Sequence, residues 1–221
     1  MKRYVSLEDI SDGKLYDIDD EFTIGCNNCE GCGECCYGKG DTIVLNPYDM
    51  YRLTKGLDST FAELLDAHIE LGVCDGLILP HMKLAGEDEH CTFLDINGRC
   101  SIHEYRSDIC RLFPLGRIYE NGGHKYFIQT HECRRVEGSE RFTVRQWIAE
   151  PDYDRYEKFV DDWHDFVNTL LDIVTKSGRD EDVRNLSMVI IKKFYMSDYD
   201  DRDFYDQFYE RLNYVKEAMG L

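Results

Sequence analysis

Five of the chain's ten cysteines fall within Cys26-Asn27-Asn28-Cys29-Glu30-Gly31-Cys32-Gly33-Glu34-Cys35-Cys36. A reduced cysteine on its own behaves as a small buried hydrophobe. This stretch offers a core no larger apolar side chain to pack beside them. Two residues between cysteines let both sulfurs turn toward one ion, and Gly31 and Gly33 leave the backbone free to bend around it. The spacing points to thiolate ligation of a metal.

A second group follows at Cys91, Cys100, Cys110 and Cys133. Cys29-x2-Cys32-x2-Cys35-Cys36 supplies four thiolates and the second group four more. Eight would fill two four-thiolate sites, each complete for zinc or for an iron–sulfur cluster of the 4Fe–4S type. Neighbouring side chains point apart, so Cys35 and Cys36 suit two centres or opposite sides of one large cluster. A competing register, Cys26-x2-Cys29-x2-Cys32-x3-Cys36, has the spacing of a bacterial ferredoxin run, with Tyr37 in place of the usual proline. It makes Cys26 a ligand and leaves Cys35, Cys110 and the pair Cys91 and Cys100 without a purpose. The eight-cysteine register is therefore preferred. Cys74, in apolar company, reads as a buried structural thiol. His103, in Cys100-x2-His103, and His131, two before Cys133, can be ligands or supporting groups. Arg106 and Arg111 flank Cys110 and could serve the sulfurs, an anionic substrate or the many carboxylates.

These residues need elements to place them. Thr42-Ile43-Val44-Leu45 reads as a short strand, and Asn46-Pro47 starts a helix that runs to about Lys55 and stops at Gly56. Thr60 with Glu63 is a capping box, opening a helix whose apolar face, Phe61 to Leu71, ends at Gly72. Residues 74–84 read as a strand in which Pro80 favours an edge. Cys91 and Cys100 frame a hairpin turning at Asn97-Gly98, which brings the two together. Ser107 caps a short helix carrying Cys110 and stopped by Pro114, and Tyr126-Phe127-Ile128 is a strand. From Thr143, with Gln146 as its capping-box partner, three amphipathic helices follow: Tyr156 to Val174, Asp182 to Phe194, and Tyr205 to Met219. Their aromatic stripes read as packed core. The fold class expected is helix-rich α+β in three regions. These are an N-terminal arm (1–25), a cysteine-cluster metal-binding region (26–140), and a helical region packed on it (141–221).

At 221 residues, 43% hydrophobic and 13% aromatic, the chain can build a substantial core. Its formal charge of −18 repels nucleic-acid backbones and anionic lipid, and suits a basic protein partner. Residues 1–12 contain no apolar signal segment, and no run approaches the ~20 residues of a membrane span. The expected address is cytoplasmic, where clustered cysteines serve metals rather than disulfides.

The chain resembles the CxxCxxCC cysteine-cluster family, whose members are described as zinc- or iron-chelating. The matching residues are Cys29-Glu30-Gly31-Cys32-Gly33-Glu34-Cys35-Cys36, Cys91-Thr92-Phe93-Leu94, Cys100-Ser101-Ile102-His103-Glu104-Tyr105-Arg106 and Cys110-Arg111-Leu112-Phe113-Pro114, within about residues 25 to 135. Where the family usually has Arg-Pro, this chain has Arg106-Ser107. The resemblance implies one or two iron–sulfur or zinc centres. A relative with a similar cluster, flagellin lysine N-methylase, is considerably longer and is associated with an iron–sulfur centre, which makes a methyltransferase-like enzyme one alternative. A zinc-stapled interaction module is another. A G-x-G-x-x-G fingerprint is absent, and Lys39 stands where a radical-enzyme C-x3-C-x2-C run would need its third cysteine. Methyl transfer thus draws no independent support from the residues.

Overall fold

The computed structural model describes residues 6–24, 33–39, 42–120, 122–130, 133 and 140–221. Helices dominate, and the strands among the described residues form four antiparallel pairs. The chain is a helix-rich α+β protein.

Residues read as an arm are tied to the rest by backbone hydrogen bonds. After a short helix α1 (Leu7–Ile10), Tyr16 exchanges hydrogen bonds with Tyr126 at 2.8 and 2.9 Å. Strand β1 (Glu21–Ile24) turns Phe22 and Ile24 inward and pairs with β8 (Glu140–Thr143). The two ends of the cysteine-rich half are thereby clamped together.

Helix α2 (Pro47–Leu57) opens with a reciprocal Asn46–Asp49 capping box and proline at its first position. It runs past Gly56 and ends at Asp58, because Gly56 lies against the Tyr105 ring, where any side chain would collide. Helix α3 (Phe61–Ala67) has the expected Thr60–Glu63 box. It stops five residues before Gly72, since Ile69–Cys74 is strand β2, paired in register with β3 (Leu77–Met82). Leu71, assigned above to a helix face, is 41% exposed. The local cue was Asp75-Gly76, a two-residue hairpin turn with both φ angles positive. Ile43 to Leu45 lies along the other side of β3, with Leu45 N–H donating to the Pro80 carbonyl at 2.9 Å. Pro80 is thus not at a free edge, and its carbonyl, which proline retains, makes that bond.

Beyond β4 (Leu84–Ala85) and β5 (His90–Cys91), the expected hairpin is only partly realised. Its turn forms: Gly98 takes φ +73°, and the Asp95 carboxylate accepts the N–H groups of Asn97 and Arg99. Cys91, however, pairs with Leu84, while Cys100 pairs with Leu94. Helix α4 (Asp108–Leu112) is capped by Ser107 and ends before Pro114, as expected. Strand β6 (Leu115–Glu120), absent from the sequence reading, pairs with β7 (Gly123–Ile128).

The C-terminal region contains α5 (Val144–Ile148), α6 (Tyr153–Ser177), α7 (Asp180–Ile190), a wider π-helical turn (Ile191–Met196) and α8 (Phe204–Met219). Its aromatic stripe is core: Tyr156, Phe159, Phe166, Phe194 and Phe208 are fully buried, and Phe159 meets Phe208 edge-on at 4.6 Å. The π turn buries the neighbours Phe194 and Tyr195 together and sends the Tyr195 hydroxyl to the Leu45 carbonyl, 2.7 Å away. Ser187 of α7 accepts Ile78 N–H at 2.8 Å. The helices therefore pack directly on the segment that follows the first cysteine cluster. Among the described residues, no helix is long and apolar enough to cross a membrane.

Candidate metal centre

Six cysteines line one recess: Cys35, Cys36, Cys91, Cys100, Cys110 and Cys133. Cys35 and Cys36 sit in a 3-10 turn closed by Cys36 N–H to the Gly33 carbonyl at 2.9 Å. A side chain at Gly33 would strike the Gly98 carbonyl, so only glycine lets the turn carrying Cys35 and Cys36 rest against the Asp95–Arg99 turn. Tyr37 bridges to His90, and Gly38 N–H donates to Glu89, which sets Cys36 beside the strand carrying Cys91. Cys100 arrives from the other side of the turn, Cys110 from α4, and Cys133 from just past β7.

The sulfurs already interact. The Cys36 thiol shares hydrogen bonds with Cys100 and Cys35, which pushes its own pKa up and brings each of theirs down to about 7. The Arg106 guanidinium adds to the lowering of both. Burial pushes Cys91 up and takes Cys110 up to about 12. His103 also lines the recess, and burial, then Arg106, hold its pKa down. Glu34 and Lys39 complete the polar lining, among apolar Ile43, Met82, Leu84, Ile102 and Phe113. Cys74 lies apart, buried in β2, as a structural thiol would. Cys26, Cys29, Cys32 and His131 lie outside the described residues.

The two arginines around Cys110 divide their roles. Arg106 faces the sulfurs, its Nε buried without a hydrogen-bond partner among the described residues. Arg111 turns away to Glu150, 2.7 Å distant. Beneath α4 lies a buried ionic network that sequence reasoning missed. Burial would raise Asp108, but the Arg117 guanidinium, bonded to both its carboxylate oxygens, holds it below the ordinary carboxylate range. The Tyr156 hydroxyl also donates to Asp108, and the Asp49 carboxylate accepts Asp108 N–H at 2.6 Å. The Tyr156 ring has the Arg111 and Arg117 guanidinium carbons 5.4 and 5.5 Å from its centre.

Among the described residues, no three His, Cys, Asp or Glu side chains stand at ligand geometry around a point. The chemistry of the donor set nevertheless fits a thiophilic metal. Thiols converge, the Cys36 thiol is hydrogen-bonded with both Cys35 and Cys100, and a cation stands by to offset the negative charge of thiolates.

Residues 28–135 match the family model CxxCxxCC, described as "Putative zinc- or iron-chelating domain". Over this span, just under half of the chain, the protein is similar to the CxxCxxCC family. No curated protein and no solved structure matches the chain. The CxxCxxCC span includes all eight cysteines of the preferred register and begins after Cys26. It ends before β8, so the clamp with β1 and helices α5 to α8 lie outside the matched span.

Proposed function

We propose that this is a cytoplasmic metal-binding protein in which Cys29, Cys32, Cys35, Cys36, Cys91, Cys100, Cys110 and Cys133 hold one or two thiolate-ligated centres. The observation that carries this reading is the convergence of six of those cysteines, from separate stretches of chain, on one recess beside Arg106. Iron–sulfur is favoured over zinc, because the Arg106 guanidinium beside the sulfurs suits hydrogen bonding to a cluster of net negative charge. An iron–sulfur cluster would supply one-electron chemistry, and zinc a redox-inert cross-link. The chain's own part is to gather the sulfurs, give up the proton on Cys36, and shield the site with Ile43, Met82, Leu84, Ile102 and Phe113. The strongly acidic composition supports a basic protein as partner.

Metal and acid-labile sulfide analysis on protein purified without oxygen tests the reading. A brown protein containing iron and sulfide is expected. Colourless, fully loaded protein with zinc alone would favour the zinc-stapled interaction module. Protein carrying no metal in stoichiometric amount would overturn both.

A further inference from the structure

Cys110 rides on a slight support. Helix α4 has five residues, far fewer than the ~12–15 an isolated helix needs in water, so its neighbours must hold it. Two charged side chains flank the cysteine, Asp108 two residues before and Arg111 one after, and both are buried. Asp108 is held at three points. Its N–H donates to Asp49, its carboxylate takes two bonds from Arg117 of β6, and it accepts the Tyr156 hydroxyl from α6.

Net stability is a poor reason for such an arrangement, because desolvation offsets most of the attraction between buried charges. What a bidentate guanidinium and a phenol do supply is direction. With Asp108 gripped from β6 and α6, α4 can neither roll nor slide, and the sulfur two residues on keeps one position.

We infer that Asp108, Arg117 and Tyr156 are positioning residues that fix where the Cys110 sulfur stands, so that α6, outside the matched span, belongs to the support of the metal centre. This deepens the metal-binding reading and rests on it.

The test uses the full-length reduced chain with Tyr156→Phe and Asp108→Asn. Tyr156→Phe removes one oxygen and keeps the ring between the arginines, so it remains informative if Asp108→Asn fails to fold. Val174→Ala, a buried change at the far end of α6, serves as the stability control. Two quantities are read: anaerobic Co²⁺ titration followed by the cobalt–thiolate absorption bands, and the iodoacetamide alkylation rate of Cys110 in the metal-free chain by peptide mass spectrometry. Tyr156→Phe is expected to weaken Co²⁺ binding by about 10–100-fold, the range typical of lost supporting bonds. It should also shift the bands and speed alkylation of Cys110 several-fold, with Cys100 unchanged. Val174→Ala should lower the melting temperature alone. Wild-type affinity, bands and Cys110 reactivity in Tyr156→Phe would overturn the inference, as would the same changes appearing in Val174→Ala. A wild-type chain that takes up no Co²⁺ would count against the metal reading itself, and Cys110 alkylation would then decide the positioning role.

Discussion

Arg111 Nη1 lies 2.7 Å from Glu150 Oε2, with the two side chains 9% and 5% exposed. The residue that follows Cys110 is thus paired, away from water, with the loop between α5 and α6, where Tyr48 also donates to Glu150 at 2.9 Å. Removing one partner of a buried pair strands the other's charge, at a cost of about 3–5 kcal/mol, whereas replacing both with apolar groups is often near neutral. Glu150→Leu should therefore destabilise the chain strongly in urea denaturation, and Arg111→Met added to it should recover most of the loss. A double variant as unstable as the single one would show that the pair is not what holds this contact.

Metal should be integral to the fold, because the proposed ligands come from groups more than fifty residues apart in the chain. Chelation under reducing conditions, with metal loss verified, should lower the melting temperature markedly. An unchanged melting curve would show that the recess closes without metal.

The two cysteine registers separate by substitution. Cys26→Ser should keep nearly all bound metal, while Cys35→Ser and Cys100→Ser should each lose a substantial share. Loss from Cys26→Ser with retention in Cys35→Ser would instead establish the ferredoxin register.

Asp49 should make stability depend on pH. Burial, reinforced by the neighbouring Asp108 charge, pushes its carboxyl from 3.8 up to about 7. The folded chain then holds a proton that the unfolded chain releases at about pH 4. The stability this provides is complete below about pH 4 and is lost as the pH rises to about 7. Asp49→Asn lacks this titration. In urea denaturation of the metal-free reduced proteins, wild type should lose stability relative to the variant between about pH 5 and 7, and the two should run parallel above about pH 8. A gap that stays constant across that range would contradict the assignment.

The local parts of this protein were legible in its sequence. The N-cap at Asn46 and the capping boxes at Thr60 and Thr143 formed as read, with α6 and α8, because each signal lies within a turn or repeats along one helix face. Asp49 at the third helical position belongs to the box at Asn46, but nothing local marked it as buried. The Cys29 to Cys36 motif, with Cys91, Cys100 and Cys110, pointed to thiolate chemistry through residue type and spacing alone. Leu71 shows where such reading fails: it continued an apolar helix face, yet pairing with β3 took it into a strand, and that partner lies outside any helical window. Cys91 likewise found Leu84 across the ladder in place of Cys100, since register is set by the partner strand as much as by the turn.

What only the tertiary structure decided is which charges leave water. In the sequence, Arg106 and Arg111 look alike on either side of Cys110, and Asp108 resembles any acidic residue in a first helical turn. In the fold, Arg106 meets the sulfurs, Arg111 finds Glu150 39 residues on, and Asp108 finds Tyr156 48 residues on. A charged side chain is driven to pair by the loss of its water, and that loss exists only once α5, β6 and Tyr156 of α6 have closed around α4.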